Sequence, residues 1–486
     1  MTRKIQLAAV GQQDYHFTGN PQISYFKKAY RRHTNFAIEP LEIELSSSEF
    51  EFGTEYLATI TKKADLLHKL YLEIDISGKY GTSTPVYTVT NFTNSFINVA
   101  EIKIGSQLID KQTSQFVQMY SELTSKKSKQ QYPHHIVSNT AGGLKTSFLN
   151  KVGDESGIIP NFNDVDRYEG HCPLFFGGPV ANEFFKYSSN TLGTDPGPGE
   201  TKFVNENLRN DADQKIYKKL YYNFNFWFNK DIGNALPLSA LLNHTIQLLF
   251  KTETKDKLRG NVVAANLNIE KIKLIGDFIE LEGEEKRRFS QSSHEYLIEQ
   301  VQYQGLENTG EGVDEKLITL SFNQPVKYMI WGFINEGTLG SNQGQGPCYF
   351  VSQTYNSLYF NDGFGKIIGD NGPGSLVTGG NINLEFNGSS RIDKDKPITY
   401  FTRELPYKYC EVPPMLDRIG IYSFALKPFN LEPSGTCNFS RILNKRFKYQ
   451  ILNFKTEFTQ NIPLYIFAVN YNILRISSGM GMILYT

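Results

Sequence analysis

The stretch LYLEIDI, from Leu70 to Ile76, alternates apolar and polar side chains with a period of two. Successive side chains of a β-strand point to opposite faces of its sheet, so this pattern predicts a strand with one face on the core and one face toward solvent. It is the clearest antiparallel signal in the first half of the chain. The alternation therefore favours a fold built from sheets that each bury one face.

The same alternation recurs along the rest of the chain. It predicts further strands at Leu41 to Leu45, Phe224 to Phe228, Ile272 to Leu274 and Ile318 to Phe322. The stretch Leu464 to Ile476 is almost continuously apolar, as expected for a strand that is buried on both faces. Many short strands without a regular alternation of strand and helix indicate sandwiches or barrels rather than a parallel sheet.

The composition supports a mainly β fold with few short helices. The 486 residues include 35 Phe and 28 Tyr beside 40 Gly and 20 Pro, so residues that favour strands and residues that favour turns are both plentiful. The best helical signals are Ser114 to Leu123 and Ile398 to Tyr409. The charged stretch EGEEKRR, from Glu282 to Arg288, predicts an exposed linker between two strand-rich blocks.

The charge balance excludes a protein that coats nucleic acid by bulk electrostatics. Fifty Lys and Arg residues match 50 Asp and Glu residues, whereas such binding depends on an excess of cations that neutralises many phosphates. The four cysteines lie far apart without a CxxC pair, which favours a reducing compartment. The apolar patch Ile5 to Val10 is too short for a signal peptide, and no apolar run approaches the ~18 residues of a membrane-spanning helix.

Candidate metal ligands do not have the spacing of a known site. The donors Asp164, Asp166, Glu169 and His171 fall within eight residues, but their spacing violates that of a calcium-binding EF-hand loop. A solvated acidic loop is therefore the favoured interpretation. His134 and His135 have no partner at zinc-ligand spacing.

The candidate catalytic motifs also do not match the spacing of known motifs. The glycine-rich run Gly363 to Gly374 matches neither GxxxxGK[ST] nor GxGxxG, and His294 begins HEYLI rather than HExxH. No GxSxG nucleophile motif is present. We predict no catalytic, cofactor-binding or metal-binding residue, while a carboxylate pair for glycoside hydrolysis stays open because such pairs meet only in the folded chain.

Five stretches together resemble the major capsid proteins of the nucleocytoplasmic large DNA viruses, which include phycodnaviruses, iridoviruses and relatives of mimivirus. They occur in the order of that family and span nearly the whole chain. They are GNPQISYFKKAYRRHTNFA (Gly19 to Ala37), FWFNKDIGNALPLSALLNH (Phe226 to His244), RRFSQSSHEYLIEQVQ (Arg287 to Gln302), GIYSFALKPFNLEPSGTCNFSRI (Gly420 to Ile442) and YIFAVNYNILRISSGMG (Tyr465 to Gly481). The fourth is the most specific.

The resemblance implies two consecutive eight-stranded antiparallel jelly rolls with long loop insertions. The expected division is an N-terminal arm at 1–30, a first jelly roll at 31–283, a linker at 284–296 and a second jelly roll at 297–486. The irregular stretches at about 125–213 and 335–380 would be outward loops, which could carry host contacts or glycans.

The implied function is assembly. In that family three chains form a pseudo-hexagonal capsomer that tiles an icosahedral shell. The expected partners are further copies of the chain, minor capsid proteins and, less directly, internal membrane proteins and the host surface, with no direct nucleic-acid binding. The expected location is the virion, assembled in the host cytoplasm. The implied protein is not an enzyme and has no cofactor.

Several alternatives stay open. The chain could be a minor capsid or spike protein of the same fold that binds a receptor or glycan, or a β-sandwich enzyme acting on carbohydrate. The segment Met1 to Tyr30 could be an inner arm or an element packed on the first jelly roll. Arg31, Arg32 and His33 could contact an acidic partner, although a local salt bridge or cap is favoured. Among other motif residues, Pro237, Pro433 and Gly435 are expected to set loop geometry, and Phe439 and Tyr471 to fill cores.

Overall fold

The stretch Leu70 to Ile76 lies in β3 (Leu66–Lys79), an interior strand of an antiparallel sheet. Its apolar side chains are buried and the side chains between them are half-buried, as the alternation predicts. The computed structural model describes residues 7–9, 11, 14, 18–28, 30–79, 92–124, 215–258, 267–308, 315–334, 347, 350–351, 380–392, 395–414, 418–450 and 463–485.

The first half of the chain forms two antiparallel sheets. Their strands are β1 (Phe36–Ile43), β2 (Glu55–Ile60), β3, β4 (Ile97–Ile104), β5 (Gln107–Thr113), β6 (Lys215–Asn223), β7 (Leu236–Pro237), β8 (Ile246–Thr252) and β9 (Asn268–Leu281). One sheet has the order β1-β9-β3-β6, with β7 beside β3, and the other has the order β2-β8-β4-β5. Apart from the hairpin of β4 and β5, neighbouring strands are far apart in sequence, so the sheets depend on long-range pairing.

The second half repeats this plan with two more antiparallel sheets. Their strands are β10 (His294–Asn308), β11 (Glu315–Thr319), β12 (Pro325–Ile334), β13 (Phe350–Val351), β14 (Asn381–Phe386), β15 (Ser389–Ser390), β16 (Lys396–Pro397), β17 (Ile419–Ser423), β18 (Cys437–Asn438), β19 (Lys445–Gln450), β20 (Pro463–Ser477) and β21 (Met480–Ile483). The sheets follow the orders β10-β20-β12-β13 and β11-β19-β14-β15. Several of these strands have only two residues, so the expected count of eight strands per jelly roll stays a prediction.

Two further strand predictions are confirmed. Ile272 and Leu274 lie in β9, and the stretch Leu464 to Ile476 lies in β20. Strand β20 pairs with both β10 and β12, and nearly all its side chains are buried on both faces. Its continuous apolar pattern therefore reflects its position in the interior of the largest sheet.

The predicted strand at Phe224 to Phe228 is wrong. Strand β6 ends at Asn223, and the chain turns into a short helix, α3 (Trp227–Lys230). The three phenylalanines are nevertheless buried and stack in sequence, with ring centroids 5.7 Å and 6.0 Å apart. The alternating side chains are therefore buried here, although their backbone does not pair with another strand. Two other predicted strands extend beyond the observed ones. Strand β1 ends at Ile43, before Leu45, and β11 ends at Thr319, before Leu320 to Phe322.

The described residues contain few and short helices. They are α1 (Phe92–Phe96), α2 (Ser114–Thr124), α3, α4 (Lys255–Leu258), α5 (Gly283–Gln291) and α6 (Leu405–Tyr409). Helix α2 confirms the prediction for Ser114 to Leu123, while the predicted helix at Ile398 to Tyr409 begins as a π-helical turn, Tyr400–Glu404, before α6. No helix among the described residues is long and apolar enough to cross a membrane.

The predicted linker contains helix α5, which connects β9 to β10. None of its residues is fully buried, in line with an exposed connection, and Phe289 packs partly against Leu66, Ala235 and Ile279 of the first half. The last three residues assigned to the linker, 294–296, belong to β10 instead. The sheets thus separate between residues 281 and 294, and the domain division otherwise stays a prediction.

The strand registers place the strand ends that flank the long connections at one end of the molecule. Strand β3 ends at Lys79 opposite Lys215, where β6 begins, and β10 ends at Asn308 opposite Pro463, where β20 begins. The stretches 80–91, 125–214, 259–266, 309–314, 335–346 and 451–462, which lie outside the described residues, all adjoin strand ends on this side. We call this side the loop end, and the opposite side, where β1 begins and α5 joins the halves, the arm end.

Candidate assembly site

The two halves meet along a seam, defined here as the contact between first-half residues 36–281 and second-half residues 294–485. Its centre is an ionic cluster of Lys230, Glu299 and Lys327. Lys230 Nζ lies 2.7 Å from Glu299 Oε2, and Lys327 Nζ donates to Glu299 Oε1 and to the carbonyl of Asn430. The side chain of Lys327 is 0% exposed and that of Glu299 is 7% exposed. Lys327 and the carboxylate are therefore almost entirely removed from water, and Lys230 is only 18% exposed.

The charges of this cluster depend on one another. Burial by itself would raise the pKa of Glu299, but the two lysines outweigh it and the pKa is lowered. Burial opposes the charge of Lys230, yet Glu299 and Tyr120 raise the pKa of that lysine. For Lys327 burial prevails and its pKa is lowered, although Glu299 acts in the opposite direction. An ionised carboxylate between the lysines is thus what stabilises the buried cations.

A buried carboxylate of β5 extends the seam. Asp110 Oδ1 accepts a hydrogen bond from the backbone N–H of Val301 at 2.9 Å, and Asp110 Oδ2 accepts one from Gln112 Nε2 at 2.8 Å. Beside it, Gln300 Nε2 donates to the carbonyl of Ile109. Burial raises the pKa of Asp110 to about 6, even though the hydrogen bonds and Lys230 favour the ionised form. Strand β10 is therefore fixed to β5 by side-chain contacts at two consecutive residues.

Helix α2 contributes an aromatic part to the seam. The ring of Phe116 packs edge-on against Phe467 of β20, with centroids 5.6 Å apart, and Tyr120 packs edge-on against Phe429 at 6.4 Å. Lys230 Nζ lies 4.6 Å from the centroid of the Tyr120 ring. Such cation–π and edge-to-face contacts are directional, so they fix the relative position of the halves as well as burying area.

The arm end of the seam is closed by backbone contacts. The N–H of Asn243 donates to the carbonyl of Gly479 at 2.8 Å, and Asn243 Nδ2 donates to the carbonyl of Ser478 at 3.0 Å. The N–H of Ile483 donates to Gln107 Oε1 at 3.1 Å. Gly479 has a φ of +80°, and an added Cβ would lie 2.8 Å from Asn243 Nδ2. A glycine is required here by both conformation and space.

Four of the five motif stretches converge on the seam. Phe226 to His244 supplies Lys230 and Asn243, and Arg287 to Gln302 supplies Glu299. The two C-terminal stretches supply residues such as Phe429 and Gly479. The stretches that carry the sequence resemblance therefore include residues that join the two halves. One feature of the sequence could have indicated the ionic cluster. Lys327 is a single charged residue within the otherwise apolar strand PVKYMIWGFI.

The structure clarifies the remaining motif residues. Gly435 has a φ of +129° with the carbonyl oxygen of Phe424 only 2.8 Å from an added Cβ, which confirms its role in loop geometry. Phe439 is fully buried. Tyr471 is also largely buried, but its hydroxyl donates to the carbonyl of Leu431 and its ring lies 4.9 Å from Lys327 Nζ. It thus supports the ionic cluster in addition to filling the core.

The residues considered for catalysis or metal binding have structural roles where they are described. His294 Nε2 lies 2.6 Å from the carbonyl of Phe289, and its ring stacks on that of Phe289, so it fixes the end of α5. The neighbouring Glu295 pairs with Arg475. No group of three or more potential metal ligands occurs among the described residues. The candidates at 134–135, 164–171 and 363–374 lie outside them.

The N-terminal segment is a second candidate assembly surface. The side chains of Ile23, Tyr25, Phe26 and Tyr30 are all highly exposed, with Phe26 at 101% and Tyr25 at 92%. In the described part of the chain, no ion pair involves Arg31 or Arg32, and His33 Nδ1 contacts only the neighbouring carbonyl of Thr34. The described arm residues therefore do not pack on the first half, and the favoured salt-bridge role for Arg31 and Arg32 is wrong within the described residues.

Comparisons with known proteins agree with this architecture. Residues 24–277 match the family described as major capsid protein N-terminus, and residues 285–482 match the large eukaryotic DNA virus major capsid protein family. The major capsid protein of Pyramimonas orientalis virus is 30% identical, with 99% of this chain and 98% of that protein covered. That of Paramecium bursaria Chlorella virus 1 is 29% identical over 99% and 98%. The first family match ends within β9, and the second begins within helix α5.

Solved structures show the same fold. The PBCV-1 virus capsid superposes with a TM-score of 0.65 at 24% identity, covering 95% of this chain and 100% of that one. The Faustovirus major capsid protein superposes with a TM-score of 0.63 at 11% identity, covering 96% and 94%. The two pairs of sheets are accordingly a double jelly roll. The two family matches cover most of the chain and the two relatives are 29–30% identical over nearly their full length, so the chain belongs to the major capsid proteins of large eukaryotic DNA viruses.

Proposed function

We propose that three copies of this chain form a pseudo-hexagonal capsomer, and that such capsomers tile the icosahedral shell of a large double-stranded DNA virus. The observation that carries the proposal is the buried seam, which makes each chain a fixed pair of similar lobes. Three such pairs arranged around a threefold axis present six lobes. A block of that shape can meet six neighbours with related contacts.

The proposed orientation places the arm end inside the shell and the loop end outside. The arm end carries the exposed aromatic residues of the N-terminal segment, which require a cover that the single chain does not provide. The loop end adjoins the long connections at about 125–213 and 335–380. Long surface connections often carry the contacts with other molecules, so host contacts or glycans are proposed there.

The proposed partners follow from this orientation. Further copies of the chain would contact its sides, minor capsid proteins and internal membrane proteins would contact the arm end, and the host surface would contact the loop end. The arm would comprise residues 1–30, and the jelly rolls would comprise 31–283 and 297–486 with a linker at 284–296. The relatives are capsid proteins, and assembly of this chain is proposed to occur in the host cytoplasm.

The deciding experiment is the native mass of the purified full chain by light scattering, with negative-stain images of the same fraction. A mass of three chains, about 166 kDa at 55.3 kDa each, with hexagonal particles would support the capsomer. A stable monomer would contradict it. The share of this protein in purified virions then separates the proposal from a minor capsid or spike role, because the major protein must dominate the particle.

A further inference from the structure

The N-terminal segment has exposed apolar side chains and cations without an ion-pair partner among the described residues. Its large apolar side chains, Ile23, Phe26 and Tyr30 among them, are exposed to water. Its four cations, Lys27, Lys28, Arg31 and Arg32, form no ion pair with any described residue. No acidic residue occurs between Tyr15 and Ile38, although the whole chain is balanced at 50 charges of each sign. The segment is therefore a local positive region with uncovered apolar groups.

These side chains are arranged with the period of a helix. Ile23, Phe26, Tyr30 and His33 are spaced three, four and three residues apart, so a helix would align them on one face. Lys28, Arg31 and Arg32 would fall on the other side of the helix, and Lys27 would lie at the border of the apolar face. Asn20 followed by Pro21 is a typical helix start, since Asn favours the N-cap and proline the first helical position. The pattern thus specifies an amphipathic helix.

The described residues between 19 and 35 are not helical in the isolated chain. This is physically reasonable, because a helix of about 12 residues is marginal in water without a surface that buries its apolar face. The helical pattern and the observed irregular conformation are consistent if the segment folds only when it binds. The surface that it binds should then bury the apolar side chains and carry negative charge.

We propose that Pro21 to Arg32 folds as an amphipathic helix on an anionic lipid surface. The apolar face would enter the boundary between headgroups and acyl chains, and the four cations would contact anionic headgroups. The inference rests on the proposed function, in which the arm end faces the inside of the shell. Many capsomers presenting the same helix would add their weak individual contacts into firm attachment.

The composition favours lipid over a protein groove or nucleic acid. An apolar stripe of three large side chains is small compared with a stable protein interface, which buries about 800 Å² on each partner. A lipid surface needs no shape match and gains from every cation. The phosphates of nucleic acid would attract the cations, but nucleic-acid binding would not require an aligned apolar face.

The test uses the full chain in its purified oligomeric form and vesicles of phosphatidylserine with phosphatidylcholine, compared with phosphatidylcholine alone. Co-sedimentation should show binding to the anionic vesicles that weakens as salt rises. The variant Phe26→Ser should reduce binding about tenfold, whereas Tyr25→Ser should change it by less than about twofold. The two aromatic residues are adjacent and almost equally exposed, but Tyr25 would lie on the cationic face.

A fluorescence reporter gives a second readout. Both native tryptophans, Trp227 and Trp331, are buried, so a Phe26→Trp variant adds one exposed indole. Its emission should shift to the blue with anionic vesicles and stay unchanged with neutral ones. The double variant Lys27→Ala/Lys28→Ala should reduce binding without changing the oligomeric mass.

The outcomes separate this inference from the capsomer. A trimer that ignores anionic vesicles, or that binds only when another virion protein is added, overturns the lipid inference and leaves the capsomer intact. If Phe26→Ser and Tyr25→Ser reduce vesicle binding equally, the proposed amphipathic helix is contradicted. A monomer that binds anionic vesicles with the expected difference between the variants would support the arm and contradict the capsomer.

Discussion

Glu299 and Lys230 lie 2.7 Å apart across the seam, although 69 residues separate them in the chain. Glu299 belongs to the first strand of the second jelly roll, and Lys230 belongs to the short helix that follows β6 of the first. Lys327 contacts the same carboxylate from β12, which lies on the other side of β20 in the same sheet. One buried carboxylate therefore couples the positions of three elements.

The first prediction concerns this carboxylate. Replacing Glu299 by Gln should lower the free energy of unfolding by about 3–5 kcal/mol, because the buried Lys327 and the half-buried Lys230 would lose the carboxylate that they share. Chemical denaturation at a fixed protein concentration measures the change. Glu295→Gln is the matched control, four residues earlier on the same strand in an exposed pair with Arg475, and should cost less than about 0.5 kcal/mol. Equal effects would contradict the assigned role of the cluster.

The second prediction concerns pH. Burial raises the pKa of Asp110 to about 6 in the folded protein, above the ordinary value of about 3.9. Between those values the folded state holds the proton more tightly than the unfolded state, so the contribution of Asp110 to stability falls as pH rises from about 4 to 6. The loss amounts to roughly 3 kcal/mol at most.

Asp110→Asn removes this titration. The unfolding free energy of the variant, relative to the native protein, should increase from about pH 4 to 6 and then level off. Denaturation profiles at several pH values test the expectation. A profile for Asp110→Asn that runs parallel to that of the native protein would show that Asp110 does not titrate as described.

The third prediction concerns a close approach in the second jelly roll. An added Cβ at Gly420 would lie 2.3 Å from Cε2 of the buried Trp331. Gly420→Ala should therefore lower the free energy of unfolding by about 1–3 kcal/mol through overpacking. Nothing lies within 4 Å of a Cβ added at Gly283, so Gly283→Ala should be neutral or slightly stabilising. Thermal unfolding followed by tryptophan fluorescence distinguishes the two variants.

The fourth prediction concerns thiol reactivity. Burial raises the pKa of the Cys410 thiol to about 12, so almost none of it is thiolate at neutral pH. Cys410 should resist alkylation by iodoacetamide in the folded protein and react after denaturation. Peptide mass spectrometry resolves this site from the half-buried Cys437. Rapid labelling of Cys410 in native protein would indicate that the core around it opens.

The strands were predictable where a local pattern recorded their environment. The alternation at Leu70 to Ile76 and the continuous apolar run in β20 both report which faces are buried, and the structure confirms them. The alternation at Phe224 to Phe228 reports burial equally well, but these residues lie in an irregular segment that leads into a short helix. Apolar periodicity measures contact with the core, and it does not measure backbone pairing.

The seam could not be predicted from local pattern because its partners are distant in sequence. Asn243 and Ser478 are 235 residues apart, and Asp110 and Val301 are 191 apart. The motif stretches drew attention to many of these residues through resemblance alone. What they do became visible only when the fold brought them together.

The loop end has a practical consequence for grafting foreign sequence into this scaffold. The connection at 335–349 is flanked by paired strand termini, because Ile334 of β12 pairs with Phe350 of β13. The entropy of closing a connection grows only with the logarithm of its length, so doubling one costs about 0.6 kcal/mol. An epitope inserted between 335 and 346 would leave every strand register and the seam unchanged. Surface display on an assembled shell could therefore be engineered without redesigning its building block.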